Sequence, residues 1–139
     1  MLRHMADPLH LPDAQVHRTL EHLWRSGGTG YAGFSSTVPS KYLDSGVTEF
    51  DMPSYDRVAL PTDATGFAEA VARAIETIVT TTWPAPLEDW PEPVAIILYD
   101  TPTKGTGNIL GAVLIVAVPV LAGSPPISAA PGVIRFTSI

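Results

Sequence analysis

Val94-Ala95-Ile96-Ile97-Leu98-Tyr99 and Asn108-Ile109-Leu110-Gly111-Ala112-Val113-Leu114-Ile115-Val116 decide the fold. Both segments are short, almost continuously apolar and rich in β-branched residues, the pattern of strands buried on both faces. Between them, Gly105-Thr106-Gly107 supplies the residues that a reversing chain needs. Segments 94–99 and 108–116 are therefore expected to pair as an antiparallel hairpin at the centre of a sheet, with Ile96, Ile97, Leu98, Ile109, Leu110, Val113 and Ile115 as its apolar mass. The glycines follow Lys104, whereas a phosphate-cradling loop needs its lysine after them at a helix start. The apolar run continues to Ala122 but is shorter than the ~20 residues of a membrane span and is broken by Gly111 and Pro119.

Outward from this hairpin, short apolar stretches alternate with clusters of Gly, Pro, Ser, Thr and Asp, the texture of a small all-β domain. Further strands are expected at 31–36, 56–60 and 133–138. Trp83-Pro84-Ala85-Pro86, Trp90-Pro91-Glu92-Pro93 and Gly123-Ser124-Pro125-Pro126 belong to loops and edges, because proline donates nothing to a sheet ladder. Segment 67–78 carries Phe67, Val71, Ala74 and Ile78 at helical spacing, but Ile75, Thr77 and Val79 alternate like a strand that continues through Thr80 to Trp83. A short helical or irregular start and a strand from about Ala74 are expected.

Near the N-terminus, Val16, Leu20, Leu23 and Trp24 recur at helical spacing after Pro12-Asp13, and Gly27-Gly28 follow as a stop signal. A helix over 14–26 is expected, supported by Glu21 and Arg25 four apart and burying Leu20, Leu23 and Trp24. The fold class is thus mainly β, an antiparallel β-sandwich of jelly-roll type with one N-terminal α-helix. It comprises an arm over 1–12 and one domain over 13–139. The arm lacks the apolar core of a secretory signal.

Composition narrows the chemistry. The 139 residues carry a net charge of −6, which gives no electrostatic reason to seek nucleic acid or an anionic membrane. No Cys is present, so thiolate nucleophiles, disulfides and cysteine metal sites are excluded. His4, His10, His17 and His22 fall in the first 22 residues, but His17 and His22 are five apart, which turns them to different helix faces. Helical pairs that share a metal stand four apart. Asp44, Glu49, Asp51 and Asp56, and again Glu88, Asp89 and Glu92, follow no calcium-loop spacing and read as solvated loop carboxylates. No cofactor, metal or catalytic residue is expected. A hydrolase would need two carboxylates converging across a cleft, which nothing in the spacing provides.

Several segments, taken in order, form a recognisable series. These are His17-Arg18-Thr19-Leu20-Glu21-His22-Leu23-Trp24-Arg25, Tyr31-Ala32-Gly33-Phe34-Ser35-Ser36-Thr37, Val47-Thr48-Glu49 and Tyr55-Asp56-Arg57-Val58-Ala59-Leu60-Pro61. They continue through Trp83-Pro84-Ala85-Pro86, Asp89-Trp90, 94–100, Gly107-Asn108-Ile109-Leu110 and 130–136. The series resembles a family of small tailed-bacteriophage structural proteins, known as tail fibre, capsid fibre or head-decoration proteins. The resemblance spans about residues 17 to 138 and rests on order and spacing. Pro91 stands where that family has a glycine, Ala129-Ala130-Pro131-Gly132 replaces its Phe-Pro-Ala-Gly, and residues 1–12 have no counterpart.

The resemblance implies a non-enzymatic protein present in repeated copies in a virion. Its expected partners are the major capsid protein or other virion subunits, with homo-oligomers in the particle and neither nucleic acid nor membrane among them. A head decoration or minor capsid (capsid fibre) role is expected first, and a tail-fibre or baseplate adaptor is the alternative. A carbohydrate-binding module, which would need an exposed tryptophan face, is more remote. The N-terminal arm offers Leu2, Arg3, Met5, Leu9 and Leu11 as interaction residues, with Pro8 and Pro12 favouring an extended path across a neighbouring subunit.

Overall fold

The computed structural model describes residues 12–40, 43 and 45–137, so the expected arm residues Leu2, Arg3, Met5, Leu9 and Leu11 lie outside the described part. A helix, α1 (Asp13–Arg25), precedes eight strands: β1 (Thr29–Ser35), β2 (Val58–Pro61), β3 (Ala74–Glu76), β4 (Thr81–Thr82), β5 (Ala95–Tyr99), β6 (Ile109–Leu114), β7 (Ser128–Ala129) and β8 (Arg135–Thr137). Four of them form an antiparallel sheet in the order β2-β1-β5-β6, while β3 pairs with β8 and β4 with β7 as separate antiparallel ribbons. The protein is mainly β and antiparallel with one helix. One core joins Val16, Leu20 and Trp24 of α1 and Ile75 and Ala129 of the two ribbons to Ala32, Phe34, Ile96 and Leu98 of the four-stranded sheet.

The β5–β6 hairpin forms as its sequence predicts. Asp100 closes it: its backbone N–H donates to the Asn108 carbonyl at 3.1 Å, and its carboxylate accepts from the Asn108 backbone and side-chain N–H groups at 2.8 and 2.9 Å. All five residues of β5 are buried. On one face Ile96 and Leu98 join Ala32, Phe34 and Trp83 in the main core. On the other, Ala95, Ile97 and Tyr99 are packed by Val47, Val94, Ile109 and Ala112. The expectation that both strands occupy the centre of the sheet fails for β6. It is the edge strand, and Leu110, Leu114, Val116 and Val118 are exposed.

Helix α1 differs from its expectation in one residue. Val16, Leu20 and Trp24, spaced by four, are buried, but Leu23 is 58% exposed. The polar flank turns the helix toward segment 67–73. Glu21 accepts the Ala70 N–H at 2.8 Å, His17 Nε2 accepts the Arg73 N–H at 2.9 Å, and Arg25 Nε donates to the Phe67 carbonyl at 3.1 Å. Glu21 and Arg25 thus secure this loop instead of pairing with each other, and Leu23 is left on the outer margin. Trp24 stacks on Phe136 of β8 with ring centroids 4.2 Å apart and planes 6° from parallel. A side chain at Gly111 would run into both rings, which is why β6 carries glycine where it crosses them.

Segment 67–73 is irregular, with no helical start. It reverses through Ala72 and Arg73, at φ +52° and +63°, so that Val71 meets Ala74 across a two-residue turn. Two consecutive left-handed residues are the geometry that matches the twist of a tight hairpin, although neither is the usual Asn or Gly. The strand begins at Ala74 as expected but ends at Glu76, short of the continuation to Trp83 that its alternation predicts; Thr81–Thr82 is a separate strand paired with β7.

Candidate functional site

Among the described residues, the most elaborate polar cluster forms where the segment before β2 meets the β5–β6 hairpin loop. Glu49 and Arg57 meet there in a two-pronged ion pair, with Arg57 Nε and Nη2 each 2.7 Å from one carboxylate oxygen. The third guanidinium contact is Nη1 to the Thr101 carbonyl at 2.8 Å. The guanidinium carbon lies 3.5 Å from the centre of the Tyr99 ring, so the cation is also stacked on an aromatic face. Glu49 accepts further bonds from the Tyr55 hydroxyl at 2.9 Å and the Gly105 N–H at 2.9 Å.

Tyr55 reaches onward: its hydroxyl oxygen accepts the Phe34 N–H at 3.0 Å, tying the cluster to β1. Gly33 makes that approach possible, because a β-carbon there would overlap the Tyr55 hydroxyl. Lys104 closes the far side by donating to the Tyr55 and Met52 carbonyls at 2.7 and 3.2 Å. An open concavity of about 380 Å³ lies above, bordered by Val47, Glu49, Arg57, Tyr99, Gly107 and Ile109.

The electrostatics are those of a closed circuit. Burial pushes the Glu49 carboxyl up, but hydrogen bonds from Arg57, Gly105 and Tyr55, with the Arg57 charge, outweigh it and hold the group below the ordinary range. Burial disfavours the Arg57 cation, and Glu49 more than compensates, so Arg57 is held above its usual value. Burial, then the Glu49 charge, push the Tyr99 phenol up to about 12, and the same two causes raise Tyr55. Each charged atom points at a partner within the protein. The arrangement locks the 47–57 segment to the hairpin loop, and chemically it is a rigid staple.

Glu49 is therefore not the solvated loop carboxylate its sequence context predicts: its side chain is 10% exposed and that of Arg57 is fully enclosed. Asp51, Asp56 and Asp89 are exposed as expected. Glu88 binds the Ser54 hydroxyl and backbone N–H, and Ser54 in turn accepts from Trp90 Nε1 at 3.0 Å. Among the described residues no three His, Asp or Glu side chains are grouped so as to hold a metal ion, and no helix is long and apolar enough to cross a membrane. The Glu49–Arg57 pairing could not be read from spacing alone. The two residues sit in loop segments eight positions apart, and the sheet register that aligns them is set by distant strands. Their only sequence signal was membership of two consecutive segments in the resemblance series.

All three tryptophans are buried. Trp83 donates from Nε1 to the Ala32 carbonyl at 3.0 Å and packs on Phe34, while Trp90 meets Tyr55 edge-on. No tryptophan platform is available to stack on a sugar. Compared with known proteins, the chain matches no family model, no curated protein and no solved structure.

Proposed function

We infer that the protein is a non-enzymatic structural component of a tailed-phage virion, a head decoration or minor capsid protein seated on the major capsid lattice. The ordered series of segments across residues 17 to 138 carries this reading. Its partners are the major capsid protein and further copies of itself, and residues 1–11 lie across a neighbouring subunit. Two features are compatible with such a role: a polar cluster whose charges are spent on internal bonds, and proline-rich loops that stiffen the chain.

The test is to measure copy number in purified particles by quantitative mass spectrometry, followed by rebinding of the purified chain to particles stripped of it. Stoichiometry that tracks the capsid lattice is expected. A few copies near the tail would instead support a tail-fibre or baseplate adaptor, and absence from particles would overturn the virion reading altogether. Deleting residues 1–11 should lower occupancy on particles while leaving the melting temperature of the domain nearly unchanged.

A further inference from the structure

We propose that the free edge of β6 pairs with β6 of a second copy of this chain, in antiparallel register about a two-fold axis at Val113. Three observations carry the proposal. The first is the edge itself. Ile115 donates to the Val94 carbonyl at 3.0 Å, and Val113 and Gly111 lie opposite Ile96 and Leu98, so alternation turns the backbone groups of Ala112 and Leu114 outward. No described strand meets them. Chains usually protect such an edge with lysine, proline or a short strand, and none of these interrupts Ile109–Leu114.

The second observation is charge. The chain has a net charge of −6, yet residues 105–134 contain no Asp, Glu, Lys, Arg or His. Approach by this strip brings no ionisable side chain of segment 105–134 into the contact, so the net charge of each copy is carried by other parts of the chain. The apolar strip is generous: Leu114 is 64% and Val116 86% exposed.

The third is shape. With the axis at Val113, Ala112 faces the partner's Leu114, and Leu114 faces the partner's Ala112. Beside Ala112 lies a concavity of about 170 Å³, lined by Val38, Pro39, Leu43 and Leu114. The partner's Leu114 enters it because the residue opposite is small, and the two-fold repeats the fit. Self-complementarity of this kind is what an isologous interface requires. Main-chain bonds and an alternating side-chain fit together are the physics of strand addition.

The pairing is a property of the isolated chain and goes beyond the virion reading, so a purely monomeric chain would overturn it and leave particle occupancy unaffected. Sedimentation equilibrium of the full chain should show the mass doubling as concentration rises. Amide exchange at Ala112 and Leu114 should slow over the same range. Leu114→Lys and Val116→Lys should each remove the dimer without lowering the melting temperature of the dilute protein, since both side chains face solvent in the single copy. If Leu114→Lys impairs folding, Val116→Lys, beyond the end of the strand, gives the reading alone. A monomer at every concentration, a dimer indifferent to the lysines, or a dimer whose Ala112 and Leu114 amides exchange as fast as in the monomer would each overturn the proposal. So would a dimer lost only on deletion of residues 1–11.

Discussion

Removing the Glu49 carboxylate leaves a fully enclosed guanidinium with only a carbonyl and a ring face for company. Breaking a buried ion pair from one side costs about 3–5 kcal/mol, so chemical denaturation of Glu49→Ala should show a loss of that order. Because Glu49 titrates below its ordinary value of 4.5 in the folded protein, its contribution is complete above that value and is lost as pH falls through the lower, folded one. Stability measured against pH should therefore fall on the acid side, and Glu49→Gln should flatten that limb. A Glu49→Gln curve parallel to the wild type would assign the acid loss to other carboxylates, such as Asp100, which Asn108 also holds low. Trp24, stacked on Phe136 and tilted against Phe67, is the other residue with a large expected effect. Its replacement by alanine should cost about 3–5 kcal/mol, and a loss below about 1 kcal/mol would mean that helix and β8 close over the gap. Trp24 was legible in the sequence because helical spacing marks an apolar face. Leu23 was misread because spacing cannot show how His17, Glu21 and Arg25 rotate that face toward segment 67–73.

At the scale of elements, the turn at Ala72-Arg73 is held open to improvement. A left-handed residue with a β-carbon costs about 1–2 kcal/mol, and asparagine tolerates the region better. Ala72→Asn should raise the melting temperature, corresponding to roughly 0.5–1 kcal/mol; no change, or a decrease, would show that Ala72 makes an interaction its geometry conceals. The β5 strand, bonded on both sides and buried throughout, should hold the slowest-exchanging amides, notably Ile97 and Leu98. Fast exchange there would contradict the sheet order. The hairpin, its glycine turn and the start of β3 at Ala74 were readable because apolar runs and turn residues are local signals. The edge position of β6 was not, since an apolar run looks the same whether a neighbour comes from its own chain or from another. The ribbons β4 and β7, two residues each, leave no periodicity to read.

For the molecule as a whole, charge is unevenly distributed along the chain: every Asp, Glu, Lys, Arg and His lies outside 105–134. Salt should therefore alter contacts made by the rest of the surface and leave any association through β6 nearly untouched, which sedimentation at low and high ionic strength would check. The three enclosed tryptophans have an optical consequence. Trp24 reports where the helix meets β8, Trp83 sits within the main sheet core, and Trp90 sits beside the Ser54 loop. Each indole is shielded from water in the native state and exposed on unfolding, so variants retaining one tryptophan at a time, with phenylalanine filling the other two sites, become spectrally distinct reporters of three districts of the same chain. Coincident emission shifts would establish a single cooperative transition, and an early red shift from Trp24 alone would reveal that the helix peels away first.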